Sequence, residues 1–170
     1  MSRLLPDPDV AGAWIVRAGG ADQSWIDPED PTRLEFDYMQ RIADHLDVHR
    51  PAGERMRVIH LGGAGMCLAR YVATTRPTSP QIVCEPDAEL TAEVRRKAPL
   101  PARSGIKVRP VDGRSGLAAM REISPTSSFS MLSMAPGFLA TLSPSSSSQR
   151  YLVSCTPTVS RWRTWLTLHP

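Results

Sequence analysis

Three short apolar segments, each followed by a helix-favouring segment, constrain the fold of this chain more than any other feature. The apolar segments cover residues 58–61, 81–84 and 106–111, and the helix-favouring segments cover residues 66–75, 88–97 and 116–122. Strands that alternate with helices in this way form parallel sheets with right-handed crossover connections. The sequence therefore predicts the α/β class, with a parallel sheet over residues 51–123.

A smaller unit is predicted ahead of this sheet, over residues 1–50. Residues 13–18 and 23–26 predict two short strands that form a β-hairpin through Gly19 and Gly20. Asp30 followed by Pro31 predicts the start of a helix, because an acid is a good N-cap and proline is favoured at the first helical position. The buried stripe of this helix is predicted at every fourth residue: Leu34, Tyr38, Ile42 and Leu46.

The charged residues are distributed unevenly along the chain. All 17 Asp and Glu residues lie at or before Glu122, and the first 123 residues also carry 17 of the 20 Lys and Arg residues. The net charge of +3 therefore comes from three arginines in the last 47 residues. No basic face on a folded module is implied, so we expect no nucleic-acid partner.

Residues 124–170 differ in composition from the rest of the chain. They contain 12 Ser, 6 Thr and 5 Pro and no Asp, Glu or Lys. A segment of this kind has little apolar surface with which to offset its ordering entropy. We expect an irregular Ser/Pro-rich tail.

Cysteine and histidine positions predict no metal site. Cys67, Cys84 and Cys155 are odd in number and widely spaced, and the four histidines lack metal-ligand spacing. The N-terminal segment has prolines and acids where a signal peptide needs an apolar run, and Ser and Pro crowd residues 123–149. These features predict a cytoplasmic protein without a membrane helix.

Glycines and acids follow the three predicted parallel strands. A Gly-rich turn that opens a helix lets a polar or anionic ligand approach backbone N–H groups. An acid after the next strand can accept hydrogen bonds from both ribose hydroxyls, and one after the third strand from an adenine amino group. The carboxyl ends of parallel strands share one edge of a sheet, so we predict a site for an adenosine-containing ligand, with purely structural turns as the alternative. Its residues are Gly62, Gly63 and Gly65, then Glu85, then Asp112 and Gly113.

The Gly-Gly-Ala-Gly turn at residues 62–65 resembles motif I of S-adenosylmethionine-dependent methyltransferases and, more closely, the spermidine synthase (aminopropyltransferase) family. Two earlier segments strengthen the resemblance: residues 20–24 (GADQS) are similar to the family's G-x-x-Q element, and residues 34–38 (LEFDY) to its D/E-E-F-x-Y helix. The resemblance covers residues 13–122. It implies an incomplete Rossmann-like sheet of the methyltransferase type, preceded by a small β element.

The family transfers an aminopropyl group from decarboxylated S-adenosylmethionine to an amine in polyamine biosynthesis, and its intact members often form homodimers. The resemblance implies that Gln23 contacts the sulfonium nucleoside and that residues 62–65 contact its aminopropyl or amino-acid portion. It implies a ribose contact for Glu85 and an adenine contact for Asp112. No catalytic residue is implied, because the strand whose terminal Asp supplies the family's base does not appear.

Two departures from the family pattern leave other functions open. The turn has Ala64, Gly65 and Met66 where the family usually includes an acid, and Met39 and Gln40 stand where it has His-Glu. One alternative is methyl transfer from S-adenosylmethionine itself. Another is a non-catalytic nucleoside-binding or inert protein.

The composition of residues 124–170 has a genetic interpretation. Back-translated with G- or C-ending codons and read one base out of frame, the segment yields Ala-Asp-Val-Val-Val-Leu-Asp-Ala from Ser124, which looks like a strand of the family fold. We interpret residues 124–170 as an out-of-frame tail that follows a frame slip near residue 123. On this hypothesis the strand at residues 58–61 has one open edge.

Overall fold

A computed structural model describes residues 3–18, 20–119, 129–133, 139–142, 151–154 and 163–166. Three parallel strands alternate with helices along the chain, which confirms the α/β class and the Rossmann-like arrangement. An antiparallel three-stranded sheet and one helix precede them. In chain order the elements of this part are β1 (Leu4–Pro6), β2 (Trp14–Ala18), β3 (Ala21–Ile26), α1 (Asp37–His49), β4 (Val58–Leu61), α2 (Cys67–Thr75), β5 (Gln81–Cys84), α3 (Ala88–Lys97), β6 (Ile106–Arg109) and α4 (Gly113–Ala118).

The N-terminal sheet has the order β1-β2-β3, so it includes one strand more than the predicted hairpin. Polar contacts fasten β1 to α3. The Arg3 guanidinium forms an ion pair with Asp87 at the start of α3. At the other end of α3, the Lys97 ammonium donates to the Leu4 carbonyl at 2.8 Å. The small sheet is therefore held against the parallel-sheet unit.

Helix α1 begins later than predicted. Its first residue is Asp37, and Asp30 is not its N-cap. The Asp30 carboxylate instead accepts a hydrogen bond from the Thr32 backbone N–H at 3.1 Å, a local turn that competes with helical capping. The predicted stripe is also corrected, because Tyr38 is 39% exposed. The buried face of α1 consists of Met39, Ile42, Ala43 and Leu46.

One face of the parallel sheet forms the main core. Val58 pairs with Gln81 and His60 with Val83 across β4 and β5, so these four side chains share that face. All four are buried, against apolar residues of α1, α2 and α3. Helix α3 has the predicted start, where the Asp87 carboxylate accepts from the Leu90 N–H at 2.9 Å.

The described residues beyond position 123 form four further strands. They are β7 (Phe129–Ser133), β8 (Leu139–Leu142), β9 (Tyr151–Ser154) and β10 (Arg163–Leu166). Strand β7 pairs in parallel with β4, giving the sheet order β6-β5-β4-β7-β8, and β9 pairs with β10. The prediction that β4 has an open edge is therefore wrong, because β7 occupies that edge. Ladder hydrogen bonds join backbone groups, so an open edge can pair with a segment of unrelated sequence.

No helix in the described part of the chain is long and apolar enough to cross a membrane.

Candidate functional site

A tight turn joins β4 to α2. Gly62 has a φ of +86°, in the left-handed region that glycine adopts readily, and its N–H donates to the Cys84 carbonyl at 2.8 Å. Ala64 and Met66 also have positive φ values, 38° and 60°. The turn therefore runs close to the carboxyl end of β5, where a ligand of an open α/β sheet would lie.

Glu85 follows β5 directly, and its carboxylate is bound to this turn. Its Oε2 accepts hydrogen bonds from the N–H groups of Gly63 at 2.8 Å and Ala64 at 2.9 Å. Its Oε1 accepts from the Asp87 N–H at 3.0 Å. The residue is only 8% exposed. Since a carboxylate oxygen has two acceptor sites, Oε1 retains capacity for a ligand hydroxyl.

Close packing explains two glycines of the turn. A Cβ on Gly63 would lie 2.5 Å from Val83 Cγ1 on β5. A Cβ on Gly65 would lie 2.7 Å from both Ile26 Cγ1 and Ser24 Oγ on β3. The turn is therefore packed between the two sheets, and its position depends on both.

We expect Gly65→Ala to lower the free energy of unfolding by about 2 kcal/mol, because the added methyl overpacks a closed contact. The shifted turn should also weaken the binding of any ligand held at this edge of the sheet. Urea denaturation and calorimetric titration measure the two effects. The control is Gly53→Ala, which has a φ of +88° but open space at the Cβ, and should lose stability without losing affinity. Unchanged stability and affinity in Gly65→Ala would contradict the packing argument.

Strand β6 ends at Arg109, before the predicted residue 111, so Asp112 lies in the loop that follows it and Gly113 is the first residue of α4. The Asp112 carboxylate accepts from the Ser115 N–H at 2.9 Å and from the Ser115 hydroxyl at 2.6 Å. These bonds, with the side-chain bond contributing most, lower the pKa of Asp112. A Cβ on Gly113 would lie 3.2 Å from Leu61 Cβ. The turn after β6 thus lies beside the end of β4, and the adenine contact of Asp112 stays a prediction.

Gln23 is placed differently from the other predicted residues. Its side chain is exposed, and its amide donates to the Ala18 carbonyl of its own hairpin at 3.4 Å. Its backbone carbonyl accepts from the Tyr38 hydroxyl at 3.1 Å, and partial burial of that hydroxyl raises the pKa of Tyr38 to about 12. Glu85 therefore contacts the glycine turn directly, whereas the Gln23 side chain contacts its own hairpin.

The sequence includes Ala64 in the turn at residues 62–65 but assigns it no role of its own. Its contribution is a backbone N–H, which every residue except proline carries, so no side-chain pattern indicates it. Ser24 lies in the segment that resembles the G-x-x-Q element, and its hydroxyl donates to the Cys67 thiol at 3.3 Å behind the turn. Cys67 and Cys84 are both buried and free, and burial raises the pKa of each thiol. Neutral, enclosed thiols of this kind pack as small apolar groups.

The fold and the site together define a class. A parallel sheet with a glycine-rich turn after one strand and a buried acid after the next is a Rossmann-like arrangement. A crystal structure of a probable spermidine synthase from Corynebacterium glutamicum ATCC 13032 is similar to this chain, with a TM-score of 0.63 and 29% sequence identity over 83% of this chain. The chain therefore has a spermidine synthase-like fold.

The similarity spans 50% of the length of that solved structure. No family model and no curated protein matches the chain.

Proposed function

We propose that the chain binds the adenosine portion of a sulfonium nucleoside at the carboxyl ends of β4, β5 and β6. One observation carries the proposal: the Glu85 carboxylate accepts from the Gly63 and Ala64 N–H groups, which fixes a buried acid beside a glycine-rich turn. An acid held in this way is oriented before a ligand arrives, so it loses little entropy on binding.

In this proposal each predicted residue meets one part of the ligand. Glu85 Oε1 accepts from ribose hydroxyls, and the turn at Gly62, Gly63 and Gly65 lies against the aminopropyl or amino-acid portion. Asp112, next to Gly113, accepts from the adenine amino group with the acceptor sites that Ser115 leaves. Gln23 approaches the sulfonium side from the hairpin.

The proposed reaction is aminopropyl transfer from decarboxylated S-adenosylmethionine to an amine. The nitrogen lone pair attacks the aminopropyl carbon bonded to the sulfonium, the C–S bond breaks, and methylthioadenosine leaves with that electron pair. The amine loses a proton to a base, and we assign that base to no residue of this chain. The spermidine synthase-like fold supports this chemistry, and both substrates are small molecules.

Methyl transfer from S-adenosylmethionine is a second candidate. It is favoured by one feature of the turn, where Ala64 and Met66 flank Gly65 and provide no carboxylate for a cationic aminopropyl group. This reaction releases S-adenosylhomocysteine.

Calorimetric titration of the full chain with methylthioadenosine and with S-adenosylhomocysteine tests the proposal. We expect saturable binding of methylthioadenosine, and binding of S-adenosylhomocysteine weaker by at least about tenfold, or 1.4 kcal/mol. Tighter binding of S-adenosylhomocysteine would select methyl transfer. Absence of heat with both ligands, in a sample that is folded by circular dichroism, would rule out the nucleoside site and leave a non-catalytic protein.

A further inference from the structure

Arg70 on α2 is a buried cation with an unusual set of partners. It is 1% exposed, and burial lowers the pKa of its guanidinium. It donates to the carbonyls of Ala98, of Pro99 at 3.0 Å and of Gly65 at 3.4 Å. Within the described residues, every hydrogen-bond acceptor of Arg70 is therefore a backbone carbonyl.

Such an arrangement is costly and calls for a function. A buried charge without a carboxylate partner recovers little of its lost hydration. The carbonyls that end α3 offset part of this cost, since they carry the negative end of the helix dipole. The last turn of α3 already contains Arg95, Arg96 and Lys97, so this helix end has cations of its own. The remaining contact of Arg70 is with the Gly65 carbonyl in the glycine turn.

We propose that Arg70 is a positioning residue that holds the glycine turn in register with Glu85. Its guanidinium joins the Gly65 carbonyl to the C-terminal end of α3. At the other end of that helix, the Asp87 N–H donates to Glu85, and Glu85 accepts from the N–H groups of Gly63 and Ala64. Turn, arginine, helix and acid thus form a closed ring of contacts. The effect of this ring of contacts on ligand affinity rests on the function proposed above.

Arg76 provides a matched control. It is also fully buried and lies just after α2. Its guanidinium forms an ion pair with Asp47 at 2.6 Å and donates to the Arg50 carbonyl at the end of α1. Loss of Arg76 should loosen the packing of α1 without a direct effect on the glycine turn.

The test compares Arg70→Lys, Arg70→Gln and Arg76→Gln in the full chain by two measurements. The amide proton shifts of Gly63 and Ala64 in a ¹⁵N-correlated NMR spectrum report their hydrogen bonds to Glu85 without any ligand. Calorimetry gives the dissociation constant of methylthioadenosine. Arg70→Lys keeps the charge and a donor for the Ala98 and Pro99 carbonyls. It therefore still tests the positioning role of Arg70 if Arg70→Gln does not fold.

We expect both amide resonances to move upfield in the Arg70 variants, and the dissociation constant to rise about tenfold as the hydrogen bond to a charged group is lost. Arg76→Gln should lose stability while the two resonances and the affinity stay at wild-type values. Unchanged resonances in Arg70→Lys would overturn the proposal, as would an equal shift in Arg76→Gln. If the wild type binds no nucleoside, the proposed function fails, and the amide shifts alone still test the role of Arg70.

Discussion

Glu85→Ala is expected to weaken methylthioadenosine binding by at least about 100-fold and to lower the free energy of unfolding by about 3 kcal/mol. The substitution removes the acceptor of three backbone N–H groups, those of Gly63, Ala64 and Asp87. A buried donor that loses its partner costs about 1–3 kcal/mol, and Gly63 is buried. The same change removes the proposed ribose acceptor, so stability and affinity should fall together.

Glu85→Gln separates the two effects. Its amide oxygen can still accept from the turn, whereas its NH₂ group meets the Asp87 N–H as a second donor. We expect a loss of about 1 kcal/mol in stability and a loss of affinity of about tenfold. Urea denaturation and calorimetry measure both quantities. Glu89→Ala, at a side chain that is 96% exposed in the first turn of α3, is the control and should change neither. Wild-type affinity in Glu85→Ala would contradict the nucleoside site.

The parallel-sheet unit could be predicted well from the sequence. The bounds of β4, β5 and α3 agree with the predicted segments 58–61, 81–84 and 88–97. Their signals are local: short apolar segments form the buried strands, and Asp87 caps the helix that follows it. The position of Glu85 at the end of β5 follows from the strand boundary alone. Local signals therefore gave both the class of fold and the place of the candidate site.

Features that depend on distant contacts could not be predicted in this way. Strand β1 pairs with β2 but has only three residues of its own, too few for a periodic pattern. Strand β7 fills the edge of β4 through backbone pairing across about 70 residues of sequence. The contacts of Arg70 with Ala98 and Pro99 likewise join residues that no sequence pattern connects. These features depend on contacts between segments that are distant in sequence.

The stability of the protein is expected to fall by about 3 kcal/mol between about pH 7 and pH 4, because one buried histidine stays neutral in the folded chain. His60 on β4 is 2% exposed, and its Nε2 lies 2.8 Å from Gln81 Oε1. The Gln81 amide nitrogen donates to the Ala69 carbonyl at 3.0 Å, so its oxygen is the acceptor and His60 Nε2 carries the proton. Burial lowers the pKa of His60 from 6.5 to about 4 and outweighs the hydrogen bond to Gln81, which raises it.

The direction of the pH effect follows from proton binding. Between pH 6.5 and about 4 the unfolded chain binds a proton at His60 that the folded chain does not, so acid favours unfolding throughout this range. The carboxyls of five aspartates have folded-state pKa values lowered from 3.8, so most of their contribution to stability is lost below about pH 4. They are Asp7, Asp22, Asp30, Asp87 and Asp112. Histidine titration therefore dominates the expected effect in this window.

Urea denaturation at a series of pH values, in the wild type and in His60→Gln, measures the contribution of His60. The glutamine amide can donate to Gln81 in place of the imidazole, and it does not titrate. We expect His60→Gln to lose most of the pH dependence between about pH 6.5 and 4.5. An identical pH dependence in the wild type and His60→Gln would show that the buried imidazole is not the group that titrates.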